Sequence, residues 1–226
     1  MKIVFSIGGS VLVPDEIDDA FLAKITGFLR TLSEKHTLYV VAGGGKIARK
    51  YQQTARASGA DDELLDWLGI YTTRLNALLL ASAVGKRANR RIPQTIEEAL
   101  SLSRTHPILV MGGTDPKHST DAVAAELAYS AGAELFINAS NIDGVYDKDP
   151  KKNSDAKLIE RMSAKELLAL VEKIPQSPGD YALIDRMAVE SVMRSKVKTI
   201  VLNGRDLDNI RKAVLGEEFK GTTILG

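Results

Sequence analysis

Three glycine-rich loops, each directly after a short apolar run, constrain the fold of this chain more than any other feature. Gly8-Gly9-Ser10 follows Lys2 to Ile7, Gly43-Gly44-Gly45-Lys46 follows Thr37 to Val41, and Gly112-Gly113-Thr114 follows Ile108 to Met111. Because glycine has no Cβ, backbone N–H groups of such a loop can approach an oxyanion, and a helix that begins there adds unpaired donors. The repeated arrangement predicts an α/β enzyme that binds phosphate groups.

Strand-like and helix-like patterns alternate along the chain, which predicts a mostly parallel sheet flanked by helices. Two further strands are predicted at Leu135 to Ala139 and Thr199 to Asn203. The predicted helices are Ile17 to Leu32, Lys46 to Ser58, Leu64 to Val84, Ile96 to Ser103, Thr120 to Ala131, Ala164 to Glu172, Leu183 to Ser195 and Leu207 to Leu215. Asp143 to Ala156 and Pro175 to Asp180 have the composition of loops. We expect these loops at one rim of the sheet, where open α/β proteins bind ligands.

The composition excludes several classes of function. With 30 lysines and arginines against 29 acidic residues, the net charge of +1 provides no overall field that would attract nucleic acid or a membrane surface. The chain has no cysteine, and its three histidines are scattered, so neither a disulfide framework nor a zinc motif is present. No apolar run approaches the roughly 18 residues of a membrane span. We therefore expect a soluble cytoplasmic protein with no nucleic-acid or membrane partner.

The second glycine loop is a candidate cradle for a polyphosphate. It leads from a strand into a helix that carries Lys46, Arg49 and Lys50, so backbone donors, the helix dipole and mobile cations meet there. The alternative is a tight turn before an ordinary basic helix face, but a turn seldom requires three glycines. The loop lacks the spacing of a P-loop, and a dinucleotide fingerprint would require glycine at Ala48.

The long predicted helix carries a stripe of small and polar residues on one face. Asp66, Gly69, Thr73 and Asn76 are spaced by three, four and three residues, and leucines flank them. One interpretation is a ligand surface in which Asp66 accepts hydrogen bonds from two ribose hydroxyls. The other is a solvated face with a small residue at a helix crossing. The pattern favours neither.

The third glycine loop leads through Asp115, Pro116 and His118 into another predicted helix. Ser119, Thr120 or Asp121 can cap this helix, which leaves other donors free for an anion. Asp121 is either a capping carboxylate or a group that holds the metal of a nucleotide, and capping is the simpler interpretation.

The segment from Asn138 to Pro150 follows a strand and mixes amide, aromatic and carboxylate groups. Tyr146 is suited to stacking on a base, while Asn141 and Asp149 could fix its edges or its sugar. A turn made by Asp-Gly and Asp-Pro explains part of the pattern but not the tyrosine within it.

Together these stretches resemble the amino acid kinase superfamily, and most closely its archaeal-type uridylate (UMP) kinases. The likeness runs from Ile3 to Ile224. The motifs that carry it are Phe5 to Leu12, Gly43 to Tyr51, Asp66 to Ile70 with Arg74 to Ala77, Gly112 to Ala122, and Asn141 to Pro150. The resemblance implies a three-layer αβα sandwich with a mostly parallel central sheet. It also implies one domain over residues 1–226, with an acceptor UMP lobe at about 1–120 and an ATP lobe at about 121–226.

The resemblance assigns site residues as expectations. UMP would be bound by Gly44, Asp66, Thr114, Asp115, Pro116, Lys117, His118, Ser119 and Thr120. ATP would be bound by Gly8, Gly9, Ser10, Gly45, Arg49, Ser140, Asn141, Tyr146 and Asp149. Asp121 would lie between the two substrates, and Asp185 resembles another carboxylate near the reaction centre. Mg²⁺ would accompany ATP and be held mainly by its phosphates. A hexamer and feedback by UTP are further implications.

One residue departs from the pattern of the wider superfamily. Many relatives have a lysine at the position of Ser6, where it neutralises the transferred phosphoryl group. Lys46 or Arg49 would supply that charge here. Alternatively, the chain is a nucleotide sensor that no longer turns over, or a kinase for isopentenyl phosphate or an acylamino acid. Isopentenyl phosphate kinases are expected to have a histidine in the second glycine loop, which this chain lacks.

The expected reaction needs positioning and charge rather than a base. By analogy with phosphoserine, about nine-tenths of a phosphate monoester is dianionic at pH 7, so the acceptor oxygen needs no deprotonation. An enzyme for ATP + UMP giving ADP + UDP must instead hold two polyanions in line and offset their repulsion.

Overall fold

The computed structural model describes residues 1–173 and 184–226. Within these residues, one sheet of seven strands has the order β3-β2-β1-β4-β6-β7-β5. The strands are β1 (Lys2–Ile7), β2 (Thr37–Ala42), β3 (Ile108–Met111), β4 (Leu135–Ser140), β5 (Arg161–Ser163), β6 (Lys198–Asn203) and β7 (Thr222–Leu225). The first five strands of that order are parallel, while β7 is antiparallel to β6 and parallel to β5.

Helices cover both faces of the sheet. They are α1 (Gly9–Leu12), α2 (Asp19–Leu32), α3 (Gly45–Ala57), α4 (Asp62–Val84), α5 (Ile96–Leu102), α6 (Thr120–Ala131), α7 (Ala164–Lys173), α8 (Arg186–Ser195) and α9 (Leu207–Leu215). No helix in the described ranges is long and apolar enough to cross a membrane.

Alternating residues of the central strands pack into two separate hydrophobic cores. Ile3 and Phe5 of β1 pack with residues of α2, α4 and α9, whereas Val4 belongs to a second cluster with residues of α6, α7 and α8. Successive side chains of a strand point to opposite faces, so one strand contributes to both clusters. The result is three layers, helix–sheet–helix, as the resemblance implied.

The strand order reverses between β1 and β4. From β1 the chain adds β2 and β3 on one side, and from β4 it adds β6 on the other. In open α/β sheets, such a reversal leaves a crevice at the carboxyl ends of the strands. The three glycine-rich loops follow β1, β2 and β3 at this edge, as predicted.

The predicted elements are present, but carboxylate caps set helix starts that apolar periodicity placed elsewhere. Asp18 accepts from Phe21 N and Asp61 from Leu64 N, each at 2.9 Å, so α2 begins at Asp19 and α4 at Asp62. The predicted start of α8 at Leu183 lies outside the described residues; α8 itself begins after its cap, Asp185. The predicted Pro175 to Asp180 loop also lies outside them. The short elements α1, β5 and β7 were not predicted.

Candidate active site

A cavity of about 540 Å³ occupies the crevice at the carboxyl ends of β1, β2, β3 and β4. Its wall includes glycines from all three predicted loops, side chains of α3 and α4, and the first turn of α6. Backbone donors at the start of α3 have no partner within the helix, and the dipole of that helix favours an anion at the same point. The cavity therefore suits a phosphate-containing ligand.

The first two glycine loops lie against each other, backbone to backbone. A Cβ at Gly9 would lie 2.0 Å from Gly45 N, and one at Gly43 would lie 2.5 Å from Gly9 N. Gly45 also has a φ of +67°, which side-chain-bearing residues rarely adopt. Only glycine allows this contact, which brings the ends of β1 and β2 together in the cavity.

The α4 helix forms one wall of the cavity and fixes two of the loops. Asp66, Gly69 and Thr73 line the cavity, and Asn76 donates from Nδ2 to Gly43 O at 2.8 Å. The stripe predicted on this helix thus faces the ligand space and the second loop. Of its two interpretations, the geometry favours the ligand surface over the solvated face.

The third glycine loop is also held by α4. Thr73 Oγ1 accepts from Gly113 N at 2.7 Å, and Arg74 donates to Gly113 O and Thr114 O, both at 3.0 Å. Asp66 Oδ2 accepts from Lys117 N at 3.0 Å, and Lys117 has a φ of +67°. The loop that follows β3 is therefore held in one conformation across the cavity from α3.

The two candidate cations of α3 point in different directions. Arg49 lines the cavity. Lys46 does not; its Nζ pairs with the carboxylate of Asp15 at 2.9 Å, and both side chains are at least half exposed. The geometry places Arg49 at the site and Lys46 beside it.

Asp121 is not the cap of α6, so the capping interpretation is wrong. Ser119 is the cap, since its Oγ accepts from Ala122 N at 3.0 Å. Asp121 sits in the first turn, lines the cavity, and accepts from Ser6 Oγ at 2.6 Å through Oδ1. A cap residue lies directly before the first helical residue. Ser119 occupies that position before Thr120, whereas Asp121 is the second residue of the helix.

The carboxyl of Asp121 has an unusual environment. Burial raises the pKa of Asp121 to about 6, against the hydrogen bond from Ser6; the nearby Asp185 carboxylate raises it further, and the Asn138 amide lowers it. Asp185 itself caps α8, where Oδ1 accepts from Met187 N at 2.9 Å, and Oδ2 accepts from Ser119 Oγ. Two hydroxyl–carboxylate pairs, Ser6 with Asp121 and Ser119 with Asp185, therefore lie near each other at the cavity wall.

Comparison with known proteins identifies the family. The sequence model of the amino acid kinase family matches residues 1–203. The chain belongs to the amino acid kinase family. Among members of this family, it is 43% identical over 225 residues to a protein named uridylate kinase from Methanobrevibacter smithii, covering 100% of this chain and 99% of that one. It is also 43% identical over 227 residues to uridylate kinase of Archaeoglobus fulgidus, covering 99% and 100%.

Solved structures agree with this membership of the amino acid kinases. The crystal structure of uridylate kinase from Archaeoglobus fulgidus superposes with a TM-score of 0.90 at 42% identity, covering 99% of this chain and 100% of that one. UMP kinase from Bacillus anthracis is 20% identical and has a TM-score of 0.83 over 99% and 95% of the chains. At that identity, the second likeness shows the fold alone.

Most of the residues predicted for this amino acid kinase site lie together around the cavity. Those that line it are Gly8, Gly9, Ser10, Gly44, Gly45, Arg49, Asp66, Asp115, Lys117, His118, Ser119, Thr120, Asp121, Ser140 and Asn141. Those that do not line it are Lys46, Thr114, Pro116, Tyr146, Asp149 and Asp185. Tyr146 packs against the α6–α8 core, and Asp149 accepts from Lys151 N at 2.9 Å in a turn. The role of each residue stays a prediction.

Two of the cavity residues outside the predicted set have amide side chains. Asn138 lies near the end of β4, and Gln52 of α3 donates from Nε2 to Leu65 O at 2.9 Å, crossing from α3 to α4. The sequence signal for Asn138 is an amide in an otherwise apolar strand. Gln52 gave no such signal, because glutamine is ordinary on an exposed helix face.

Proposed function

We propose that this amino acid kinase transfers the γ-phosphoryl group of ATP to UMP and forms ADP and UDP. The observation that carries the proposal is the cavity where three glycine loops, Arg49 and the Asp66 face of α4 converge at the strand reversal. The full-length likeness to proteins named uridylate kinase, at 43% identity, selects UMP as the acceptor. The pathway served is pyrimidine nucleotide synthesis.

The proposal divides the cavity between the two substrates. The acceptor UMP occupies the side formed by Asp66, the third glycine loop and the start of α6, and ATP occupies the side of the first two glycine loops with Ser140 and Asn141. Arg49 lies on α3, at the second glycine loop where the two sides meet. Along the chain, the acceptor lobe at about residues 1–120 also contributes the first two glycine loops to the ATP side, and the ATP lobe at about 121–226 contributes Ser140 and Asn141.

Holding two phosphate chains in line supplies most of the catalysis in this scheme. Backbone N–H groups of the glycine loops and the Arg49 guanidinium stabilise negative charge on the transferred group, and preorganised donors act without rearrangement during the reaction. Mg²⁺ bound to ATP would neutralise further phosphate charge. In the described ranges no group of three or more His, Cys, Asp or Glu side chains is arranged to hold a metal ion.

Further properties belong to the same proposal. Tyr71, Leu75 and Leu78 leave an exposed apolar strip on α4, which supports assembly into a homo-oligomer, a hexamer by family resemblance. UTP, the product of further phosphorylation, is a candidate feedback inhibitor. The protein would act in the cytoplasm.

A coupled assay of ADP release tests the function directly. The full chain is mixed with ATP and Mg²⁺, and UMP, CMP, acetylglutamate and isopentenyl phosphate are supplied in turn. We expect ADP release with UMP at a kcat/KM far above that with the other three. Faster turnover of another acceptor would reassign the substrate, and ATP binding without ADP release would indicate a nucleotide sensor.

A further inference from the structure

Three polar side chains from three elements meet where the sheet packs against α6 at the edge of the cavity. Ser6 of β1 and Asn138 of β4 are partners in the parallel register, so their side chains lie side by side. Asp121 of α6 lies against them and accepts from Ser6 Oγ at 2.6 Å. Two residues earlier on the same strands, Val4 and Phe136 belong to the apolar core.

Asn138 has an unpaired donor in this group. The residue is 4% exposed, lines the cavity, and its Nδ2 has no hydrogen-bond partner among the described residues. An unpaired buried amide destabilises a fold, so native proteins rarely retain one without a reason. Asn89, also buried, shows the ordinary situation: Nδ2 donates to Arg91 O and Val110 O, and Oδ1 accepts from Val110 N.

The Asp121 carboxylate is the acceptor next to that donor. Its Oδ1 is taken by Ser6, while no described residue donates to Oδ2 within hydrogen-bond distance. Asp185 is the charged group that acts on Asp121, and it is also negative. Among the described residues no cation offsets the charges of the Asp121 and Asp185 carboxylates at Asp121. The ionised form of Asp121 therefore depends on neutral hydrogen-bond donors.

We propose that Asn138 is a positioning residue: its Nδ2, which has no other partner among the described residues, is the donor available to the Asp121 carboxylate, whose Oδ1 already accepts from Ser6. The inference rests on the proposed phosphoryl transfer, because it assigns Asp121 a role between the two nucleotides. The Asn138 amide lowers the pKa of Asp121, which is the direction expected of a donor to the carboxylate. Asn138 thus favours a fixed, ionised Asp121.

The test replaces Asn138 with leucine, which has the same branching without the amide. Asn138→Leu is compared with wild type and with Asn89→Leu, a buried asparagine outside the cavity. The ¹³C resonance of the Asp121 carboxyl, assigned with Asp121→Asn, is titrated in the full chain. Steady-state kinetics for ATP and UMP are measured from pH 5 to pH 9, and thermal unfolding is measured in parallel.

We expect Asp121 to titrate at higher pH in Asn138→Leu than in wild type, and the acid limb of kcat to move upward with it. At neutral pH, kcat should fall about tenfold, as for loss of one hydrogen bond to a charged group. The KM values should stay near wild type. Asn89→Leu should lower the midpoint and leave the Asp121 titration unchanged.

An unchanged Asp121 titration in Asn138→Leu would overturn the inference. If the KM for ATP rises while the titration stays fixed, Asn138 contacts phosphate itself, and the positioning role is likewise refuted. The carboxyl titration does not depend on turnover. If the wild-type protein forms no UDP but the Asp121 titration still shifts in Asn138→Leu, the proposed function is refuted while the interaction of Asn138 with Asp121 stands.

Discussion

The backbone contact between the first two glycine loops makes Gly9→Ala the most sensitive single change at the site. The added Cβ would lie 2.0 Å from Gly45 N and 2.5 Å from Gly45 Cα, whereas ordinary contact begins at 3.4 Å. Both neighbours are backbone atoms, so no side-chain rotation can relieve the overlap. The loops must therefore separate by about 1.4 Å, or one of them must change conformation.

That separation has two measurable consequences. Forcing extra volume into a packed contact destabilises a fold by about 1–3 kcal/mol. Moving the two phosphate-binding loops apart also misplaces the reacting groups, and a displacement of about 1 Å can lower the rate of a positioned reaction by about 10²-fold. We therefore expect kcat/KM for ATP to fall by about two orders of magnitude in protein that is still folded at 25 °C.

The control is Gly27→Ala in the middle of α2, where an added Cβ meets nothing within 4 Å. Alanine is the better helix former, so this variant should gain about 0.5–1 kcal/mol of stability and keep full activity. Thermal unfolding and the coupled ADP assay measure both properties. If Gly9→Ala keeps wild-type stability and kcat/KM, the loops are not in the close contact described, and the steric reasoning is wrong.

Three further changes, one of them with a matched control, test individual side chains. Arg49→Ala should lower the rate of phosphoryl transfer by about 10²-fold or more with little change in the thermal midpoint. Its control, Lys46→Ala, breaks an exposed ion pair and should change the rate and the midpoint little. If both variants lose ADP release equally, Lys46 also acts in the site. Asp66→Asn should raise the KM for UMP and leave the KM for ATP unchanged, as measured by steady-state kinetics with each substrate varied in turn. A raised KM for ATP with an unchanged KM for UMP would show that the division of the cavity is wrong. Asp121→Asn should lower activity yet stabilise the fold at pH 8. The pKa of Asp121 in the folded protein is raised from 3.8 to about 6, so the ionised carboxylate destabilises the fold above pH 6 by on the order of 3 kcal/mol. Below the unfolded pKa the carboxyl is protonated in both states and this effect is absent. Denaturant unfolding at pH 8 and pH 3.5 should show the gain only at the higher pH, and a gain at both would exclude this titration as its cause.

Several elements of this fold were predictable because each has one clear apolar signal. The strands β1 and β3 and the helices α6 and α9 have the predicted bounds, since their apolar periods end at glycine or at polar loops. The strands β5 and β7 have three and four residues and lack the run of buried apolar residues that marks β3, and they are held by pairing with each other and, for β7, with β6. Short edge strands depend on tertiary contacts that the local sequence does not record.

The candidate site was predictable where backbone chemistry defines it and less so where side chains cross between elements. Glycine loops after strands must converge at one edge of a parallel sheet, so their meeting in one cavity follows from the pattern. The direction of the Lys46 side chain does not follow from the pattern, because its partner, Asp15, is 31 positions away in sequence. The capping interpretation of Asp121 was wrong, since a carboxylate near a helix start resembles a cap in sequence and only the structure shows that Ser119 occupies the cap position.

The serine at position 6 determines where positive charge must come from in this protein. A lysine there would lie next to Asp121 and pair with it, whereas Ser6 donates one neutral hydrogen bond and leaves the carboxylate charge uncompensated. Among the described residues that line the cavity, Arg49 and Lys117 carry the fixed positive charges, and Lys117 belongs to the loop on the acceptor side. Arg49 is then the cation that lies at the glycine loops assigned to ATP. Because a permanent charge in a partly enclosed site stabilises a transferring phosphoryl group more than a neutral donor does, the rate should depend on Arg49 more steeply than on Ser6 or Asn138.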